Sequence, residues 1–303
     1  MTAVTAAAPT APVAHPRSRR RRGPGAAAII RETLFYLAVV IVVLIALFPF
    51  YWILRTSLES NAQVAAGVGG SNGIIPGSLS GTAFRDVFTQ QQFLTPLVNS
   101  VIVALATTVV TVIVASMAGY ALARLRIQGA GAILAFVLLA GFFPVLAMIG
   151  PLFLLLKDIG ALNSIYPLII VYLVYTLPIS TWLLKSFFEQ IPAELEDAAL
   201  VDGATRLQVL WKVVIPVAVP AVFTAAILSF ILAWNDFAFA VSFLTSQAHF
   251  TAPLAITTFG QSQFQTFYNL IDAAVVIISI PIAALALFAQ RRIVAGLTAG
   301  SFR

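Results

Sequence analysis

The residues of this chain that could bind a nucleotide or a metal are few. A phosphate-binding loop needs Gly-Lys followed by Ser or Thr, so that backbone amides and the ammonium group hold the phosphates. Only Lys185 among the lysines precedes Ser, and Leu184 stands where the glycine must be. The two histidines, His15 and His249, are too few for paired-histidine metal sites, and there is no cysteine for zinc–thiolate or iron–sulfur sites. The sequence therefore predicts no ATP hydrolysis by this chain, no metal and no cofactor.

One stretch, Gly69-Gly70-Ser71-Asn72-Gly73, matches the G-x-S-x-G pattern of a serine nucleophile. That pattern works only on a strand–turn–helix with a histidine base. Here it lies in a glycine-rich stretch, so we interpret it as a loop and predict no catalytic residue.

Three residues at the end of an apolar stretch, Trp234, Asn235 and Asp236, have the chemistry to bind a sugar. An indole face stacks on an apolar ring, and amide and carboxylate groups pair with hydroxyls. An interfacial tryptophan followed by polar residues at a helix end explains the same triplet. Carboxylates in membranes often relay protons, but Asp236 and Asp272 lie at the ends of apolar stretches, which favours solvated acids.

A second polar set is Tyr172, Tyr175, Thr176 and Ser180, spaced at i, i+3, i+4 and i+8. This spacing puts all four on one face of a helix, where they could line a pathway for a solute. Packing between helices explains the stripe equally well.

Composition indicates the elements that must position these residues. The 303 residues are 60% hydrophobic and 9% charged, too few charges to coat a water-facing surface, so a soluble enzyme and a disordered chain are excluded. A membrane span needs about 20 apolar residues. The gaps between charged residues predict six spans, with Pro144 and Pro151 kinking the third. The spans are Thr33–Leu54, Pro96–Ala123, Ile127–Leu156, Ile159–Leu184, Val213–Trp234 and Ala273–Gln290.

The positive charges set the orientation of the spans. Of the 17 Lys and Arg residues, all but Arg55, Arg85 and Lys157 fall on one side, which the positive-inside rule assigns to the cytoplasm together with both termini. Residues 1–30 are predicted to be a disordered basic tail, and residues 31–303 the six-helix domain. We interpret the Arg17–Arg22 run as a topology determinant that touches anionic membrane lipid. No nucleic-acid partner is expected, because no folded basic module surrounds the run.

The cytoplasmic segment 189–216 holds five of the eleven acidic residues. Pro192 suits a helix start, and Glu194, Glu196 and Asp197 follow in the first turn, where the helix dipole favours carboxylates. Gly203 then ends the helix, because glycine accepts the left-handed conformation common at helix C-termini.

A second helix is predicted directly after this turn. Residues 205–208 have the pattern of a capping box, and an apolar face follows at i, i+3, i+4 and i+7, formed by Leu207, Leu210, Trp211 and Val214. A short helix, a fixed turn and an amphipathic helix suit docking to a partner. An ordinary solvated connection between two spans is the alternative.

The same segment resembles the EAA loop of ABC importer permeases, whose pattern is EAA, three residues, G, nine residues, I-x-L-P. Here Asp197-Ala198-Ala199, Gly203 and Val213-Val214-Ile215-Pro216 keep that spacing, with Asp197 for Glu, Val213 for Ile and Ile215 for Leu. Further residues resemble the carbohydrate branch of this family, which consists of the maltose-type second permeases. These residues are Asn99-Ser100, Gly119-Tyr120-Ala121, Ala123-Arg124, Pro178, Trp182, Phe187-Phe188, Ile191-Pro192, Asp202-Gly203-Ala204, Trp234-Asn235-Asp236 and residues 290–300. Among them, the C-terminal residues 290–300 are most similar to permeases of mycobacterial trehalose importers.

The resemblance implies an all-α type I permease with six transmembrane helices in a bacterial plasma membrane, importing a trehalose- or maltose-type disaccharide. It implies a heterodimer with a second permease subunit, and a dimeric ABC ATPase that binds ATP and Mg²⁺ and docks on the coupling helix of this loop. The implied coupling residues are Glu194, Glu196, Asp197, Ala198, Ala199, Asp202, Gly203, Ile215 and Pro216.

An extracytoplasmic sugar-binding protein is the last implied partner. Its expected contacts are Gly260, Gln261, Ser262, Gln263 and Phe264. Two alternatives remain: an ABC permease for a non-sugar solute such as glycerol phosphate, and an ion-coupled secondary transporter working alone. The second predicts an internal repeat and charges at the span centres, and the sequence has neither.

Overall fold

The computed structural model describes residues 26–60, 62–63, 79–259 and 267–299. All regular secondary structure among these residues is helical. The helices are α1 Ala26–Ser57, α2 Thr82–Thr89, α3 Leu94–Arg124, α4 Ala130–Gly141, α5 Val145–Asp158, α6 Tyr166–Phe188, α7 Ala193–Val201, α8 Arg206–Val209, α9 Ile215–Val217, α10 Val219–Trp234, α11 Ala238–Phe243, α12 Ala252–Ile256 and α13 Tyr268–Ala299, with a π-helical turn at Leu210–Val214 and a 3₁₀ turn at Gln247–His249.

The chain divides into two compact units, which are Met1–Tyr51 and Trp52–Arg303. The first contains most of α1, which is long and apolar enough to cross a membrane. In the second unit α3 packs along α6, α10 contacts both, and α13 packs against α10 and α2. The buried side chains form clusters between these helices, with Tyr172 and Trp234 at the centre of one and Phe188 and Leu210 in another.

Four of the six predicted spans are confirmed as single helices long and apolar enough to cross a membrane: α1, α3, α6 and the first part of α13. The fourth predicted span begins at Tyr166 instead of Ile159. Gly160 and Asn163 adopt positive φ angles of 68° and 57°, so the chain turns there before the helix begins.

Each of the other two predicted spans is a bent pair of helices, which gives up to six spans among the described residues. In the third, α4 ends at Gly141 and α5 begins after Pro144, so the predicted interruption at Pro144 is confirmed. Pro151 lies inside α5 without ending it. The fifth was expected to be one helix, which is wrong: residues Arg206–Val217 and Val219–Trp234 meet at 87°.

Neutral hydrogen bonds fix the loop between α11 and α12 to the start of α3. The Asn99 side chain donates to the carbonyl oxygens of Ala248 and Phe250, each at 3.0 Å. The Ser100 hydroxyl accepts from the Ala252 amide at 2.8 Å. At the start of the same loop, the backbone amides of residues 245 and 246 donate to the side-chain oxygen of Asn163. The loop therefore has a defined shape on the side predicted to be external.

Close packing of α3 on α6 depends on Gly119. A Cβ at this position would lie 3.0 Å from the Lys185 backbone nitrogen and 3.4 Å from the Thr181 backbone oxygen, and backbone atoms cannot move aside without distorting α6.

We expect Gly119→Ala to force α3 and α6 apart and destabilise the protein by about 1–3 kcal/mol. Gly150→Ala is the matched control, because a Cβ there meets nothing within 4 Å. Thermal unfolding of the detergent-solubilised protein checks this, and equal Tm values for the two variants would contradict it.

Candidate functional site

The short helix α7 has the predicted start and end. Pro192 occupies its N-cap position, and Glu194 and Glu196 lie in its first turn. At its end the Gly203 and Ala204 amides donate to the carbonyl oxygens of Leu200 and Ala199, and Gly203 has a φ of 84°. These bonds satisfy carbonyls that have no partner inside the helix. The predicted helix and its glycine turn are confirmed.

The predicted capping box is also present. The Thr205 hydroxyl accepts from the Gln208 amide, and the Gln208 side chain accepts from the Thr205 amide at 2.8 Å. The predicted apolar face is wrong at two positions. Leu207 and Trp211 are 54% and 39% exposed, while Leu210, Val214 and Val209 are buried. The π-helical turn at Leu210–Val214 widens the helix there, so regular α-helical spacing does not give the buried face.

A buried ion pair joins α7 to two membrane-spanning helices. The Arg124 Nε at the end of α3 donates to Glu196 Oε1 at 2.6 Å, and the Tyr120 hydroxyl donates to Glu196 Oε2 at 3.0 Å. The Arg124 Nη2 donates to the backbone oxygens of Phe188 at 2.7 Å and Ile191. Only 15% of the Arg124 side chain and 4% of the Glu196 side chain are exposed. Arg124 therefore links α3, the end of α6 and α7.

Sequence reasoning included Glu196 among the coupling residues but missed its two partners. Tyr120 and Arg124 are four residues apart, which places both on one face at the end of α3. That spacing, with a carboxylate in the next cytoplasmic segment, is the signal that could have indicated the network. The EAA pattern includes Asp197, which is exposed and whose carboxylate has no hydrogen bond to another described residue.

The remaining coupling residues are arranged on the outside of this loop. Glu194, Asp197, Ala198, Asp202, Gly203 and Pro216 are exposed, and Ala199 and Ile215 are partly buried. Apolar side chains lie among them, with Leu195 46% and Val201 88% exposed. We call the exposed residues of 194–216 the loop surface. It combines three carboxylates and two cations, Arg206 and Lys212, with apolar side chains, and the inner side of α7 is fixed by Glu196.

Residues proposed for a solute pathway are mostly enclosed within the chain. Tyr172, Thr176, Ser180 and Trp234 are each at most 1% exposed. The Thr176 hydroxyl pairs with that of Thr111 at 2.8 Å, which bridges α6 and α3. These contacts favour the alternative that the stripe packs helices together, because side chains enclosed in this way offer no surface to a solute.

Trp234 in particular does not present its ring for stacking on a sugar. Its indole stacks on Phe230, with ring centroids 5.4 Å apart, and its Nε1 donates to the Ile278 oxygen at 3.2 Å. One residue of the predicted set, Asn235, is exposed to a solute. The Tyr175 hydroxyl is buried and has no hydrogen-bond partner among the described residues.

Asp236 connects α6 to α11. Its Oδ2 accepts from the Tyr172 hydroxyl at 2.6 Å and from the Ala240 amide at 3.2 Å. Burial raises the pKa of Asp236 above its ordinary value, while the hydrogen bond from Tyr172 and backbone hydrogen bonds oppose that rise. The expectation of a solvated acid is therefore wrong for Asp236, which is a partly buried structural contact.

Two sequence motifs lie outside the described residues: the possible nucleophile at 69–73 and the expected binding-protein contacts Gly260, Gln261, Ser262, Gln263 and Phe264. Within the described part of the chain, no three His, Asp or Glu side chains lie close enough together to hold a metal ion.

The loop, the ion pair and the spans that they join all fall within one known family. Residues 115–298 match the family described as binding-protein-dependent transport system inner membrane component. The chain belongs to this family. It is therefore an ABC importer permease of the type I fold, a multi-pass component of the inner membrane. The family consists of binding-protein-dependent components, so the alternative of an ion-coupled transporter working alone is excluded.

Relatives extend the likeness over nearly the whole permease. The trehalose transport system permease protein SugB of Mycobacterium tuberculosis is 39% identical over 90% of this chain and 98% of its own length. The sulfoquinovosyl glycerol transport system permease protein SmoH of Agrobacterium fabrum is 38% identical over 90% of this chain and 94% of its own. A bacterial ABC transporter involved in the import of the acidic polysaccharide alginate has a solved structure that aligns with a TM-score of 0.74 at 26% identity, over 88% of this chain and 98% of that one.

The ion pair gives a prediction for the permease. Arg124→Met removes the cation and leaves Glu196 buried without it, which we expect to destabilise the protein by about 3–5 kcal/mol. Thermal unfolding in detergent measures the loss, and Arg124→Met combined with Glu196→Gln should recover part of it, because the buried charge is then removed.

Lys185→Met is the matched control for this prediction. It breaks a second ion pair with the same N–O distance of 2.6 Å, but the partner Glu189 side chain is 48% exposed. An exposed pair of this kind contributes at most about 1 kcal/mol. Equal losses of Tm in the two single variants would contradict the role assigned to Arg124.

Proposed function

We propose that the permease is one of two membrane subunits of an ABC importer for a neutral oligosaccharide, most specifically a trehalose- or maltose-type disaccharide. A separate ATPase dimer binds ATP and Mg²⁺ and drives the change between inward- and outward-facing states. An extracytoplasmic binding protein delivers the sugar to the external loops, with residues 260–264 as its contacts. The second permease subunit completes the pathway.

This proposal rests on one observation about α7: one side of the helix is attached to the spans through Glu196, and the opposite side is exposed. A helix that transmits force must be attached to the spans that it moves, and Glu196 supplies that attachment through Arg124 and Tyr120. It must also present a surface to the partner that moves it. The loop surface does so, with Glu194, Asp197 and Asp202 exposed.

A carbohydrate substrate is supported by the relatives. SugB is named for trehalose, SmoH for sulfoquinovosyl glycerol, and the alginate transporter for an acidic polysaccharide. The last two substrates are anionic, and anions are usually bound by Arg or Lys. Asn235, the exposed residue of the predicted pathway set, carries no charge, and the basic Arg55 is already paired with Glu59 at 2.9 Å. This favours a neutral sugar over glycerol phosphate or a sulfonated sugar.

The glycine turn provides the test of the coupling role. Gly203→Val places a β-branched residue at a φ of 84°, which side chains rarely adopt, so we expect the end of α7 to be distorted. Uptake of radiolabelled trehalose into cells should fall to background, while the amount of the variant in the membrane and trehalose capture by the binding protein stay unchanged.

Gly160→Val is the matched control. Gly160 also has a positive φ, 68°, and also has nothing within 4 Å of an added Cβ, but it lies between α5 and α6. We expect it to keep most of its uptake, and Gly203→Asn to keep part, since asparagine tolerates the left-handed region. Normal uptake by Gly203→Val would overturn the coupling assignment. Unlabelled maltose and unlabelled glycerol 3-phosphate are then tested as competitors of uptake. Suppression by glycerol 3-phosphate and not by maltose would overturn the proposed substrate.

A further inference from the structure

A pocket of about 340 Å³ lies between the end of α2, the start of α3 and the loop that contains the 3₁₀ turn and α12. Its polar lining includes four glutamines, Gln90, Gln91, Gln92 and Gln247, and its apolar lining includes Phe250 and Phe259. None of the lining residues that the structure describes is charged. The pocket is separate from the loop surface and from Asn235, the exposed residue of the predicted pathway set.

The four glutamine side chains are available to a ligand. None of them makes a hydrogen bond with another residue of the described chain, while the amides of Asn99 and Asn163 nearby are both engaged. Each free amide offers donors and acceptors together, which is the combination that neighbouring hydroxyl groups of a sugar require.

The walls of the pocket are held in place independently of any ligand. Asn99 fixes the backbone at Ala248 and Phe250, and the Phe93 and Phe259 rings meet edge to face with centroids 5.1 Å apart. Gln92 adopts a φ of 50°, a strained conformation for a residue with a side chain. Strain of this kind persists where the surrounding structure enforces it, and it is concentrated at ligand sites. A preformed pocket loses little entropy on binding.

We infer that this pocket binds a neutral saccharide on the external side, as a site where the sugar is held before it enters the pathway. The inference rests on the proposed sugar substrate and adds a place and a set of contacts. The volume is in the range of small-molecule pockets. Amide groups pair with the hydroxyls, the half-buried Phe250 ring contacts the apolar face of the sugar, and the absence of charge in the described lining selects against anionic sugars.

The experiment uses the complete transporter in lipid nanodiscs without its binding protein, and trehalose as the probe. Saturation-transfer NMR over a trehalose titration gives the apparent Kd. We expect Gln91→Leu combined with Gln247→Leu to weaken binding about tenfold, since it removes two groups that hydrogen-bond to the sugar. Gln128→Leu makes the same change in the loop between α3 and α4, where the side chain is exposed, and should leave the Kd unchanged.

Three results would overturn the inference. The first is no saturation transfer from the unaltered transporter, and the second is an equal Kd for the double variant and the unaltered protein. The third is a double variant that binds trehalose normally but loses affinity for the binding protein, which would make the pocket a protein-docking site. Trehalose uptake by the unaltered transporter is measured in parallel. If uptake is normal and the pocket result fails, only the pocket is wrong, whereas absent uptake of neutral sugars contradicts the proposed substrate.

Discussion

The Arg124 guanidinium bonds to three oxygen atoms from two parts of the chain, the Glu196 carboxylate and the backbone carbonyls of Phe188 and Ile191. Removing a carboxylate and a guanidinium from water is unfavourable, and their attraction compensates only when the remaining donors and acceptors are satisfied. The Tyr120 hydroxyl occupies the second Glu196 oxygen, so the carboxylate has a partner on each side. A pair that is satisfied in this way fixes the position of α7 against α3 and α6, and the geometry of the loop surface depends on it.

The helix α7 and the loop between α11 and α12 are held to the spans by different chemistry. On the side predicted to be cytoplasmic, one ion pair joins α7, the proposed contact with a partner, to the spans. On the opposite side, neutral hydrogen bonds from Asn99 and Ser100 hold the loop, and no charge enters the lining of the pocket there. An ion pair resists displacement of α7, because separating the charges leaves the mostly buried Glu196 carboxylate without its counter-charge. An uncharged outer lining suits an uncharged solute. Both arrangements agree with an importer whose energy is supplied from inside and whose sugar arrives from outside.

Local sequence signals predicted local structure well. Pro192, Gly203 and the Thr205–Gln208 pair each act through their own backbone and near neighbours, so their spacing was enough to place α7 and the helix after it. The errors arose where packing between distant segments decides. A π-helical turn begins directly after Val209, and of the predicted apolar face only Leu210 and Val214 are buried; regular periodicity contains no sign of that turn. Tyr172 and Trp234 have the composition of a sugar site, but contacts with α10, α11 and α13 enclose them. The link from Glu196 to Arg124 spans 72 residues, and no pattern within the loop specifies it.

We expect α7 and the cytoplasmic end of α3 to move as one body when the transporter changes state. The chain has no native cysteine, so spin labels can be placed at Val201→Cys, which is 88% exposed, and Met117→Cys, which is 47% exposed. Electron-spin distance measurements on the complete transporter, with and without ATP, then report the separation of the two helices directly. We expect one narrow distance that ATP does not change, and a broad distribution when Arg124→Met is added. A distance that shifts with ATP in the otherwise unaltered protein would contradict it.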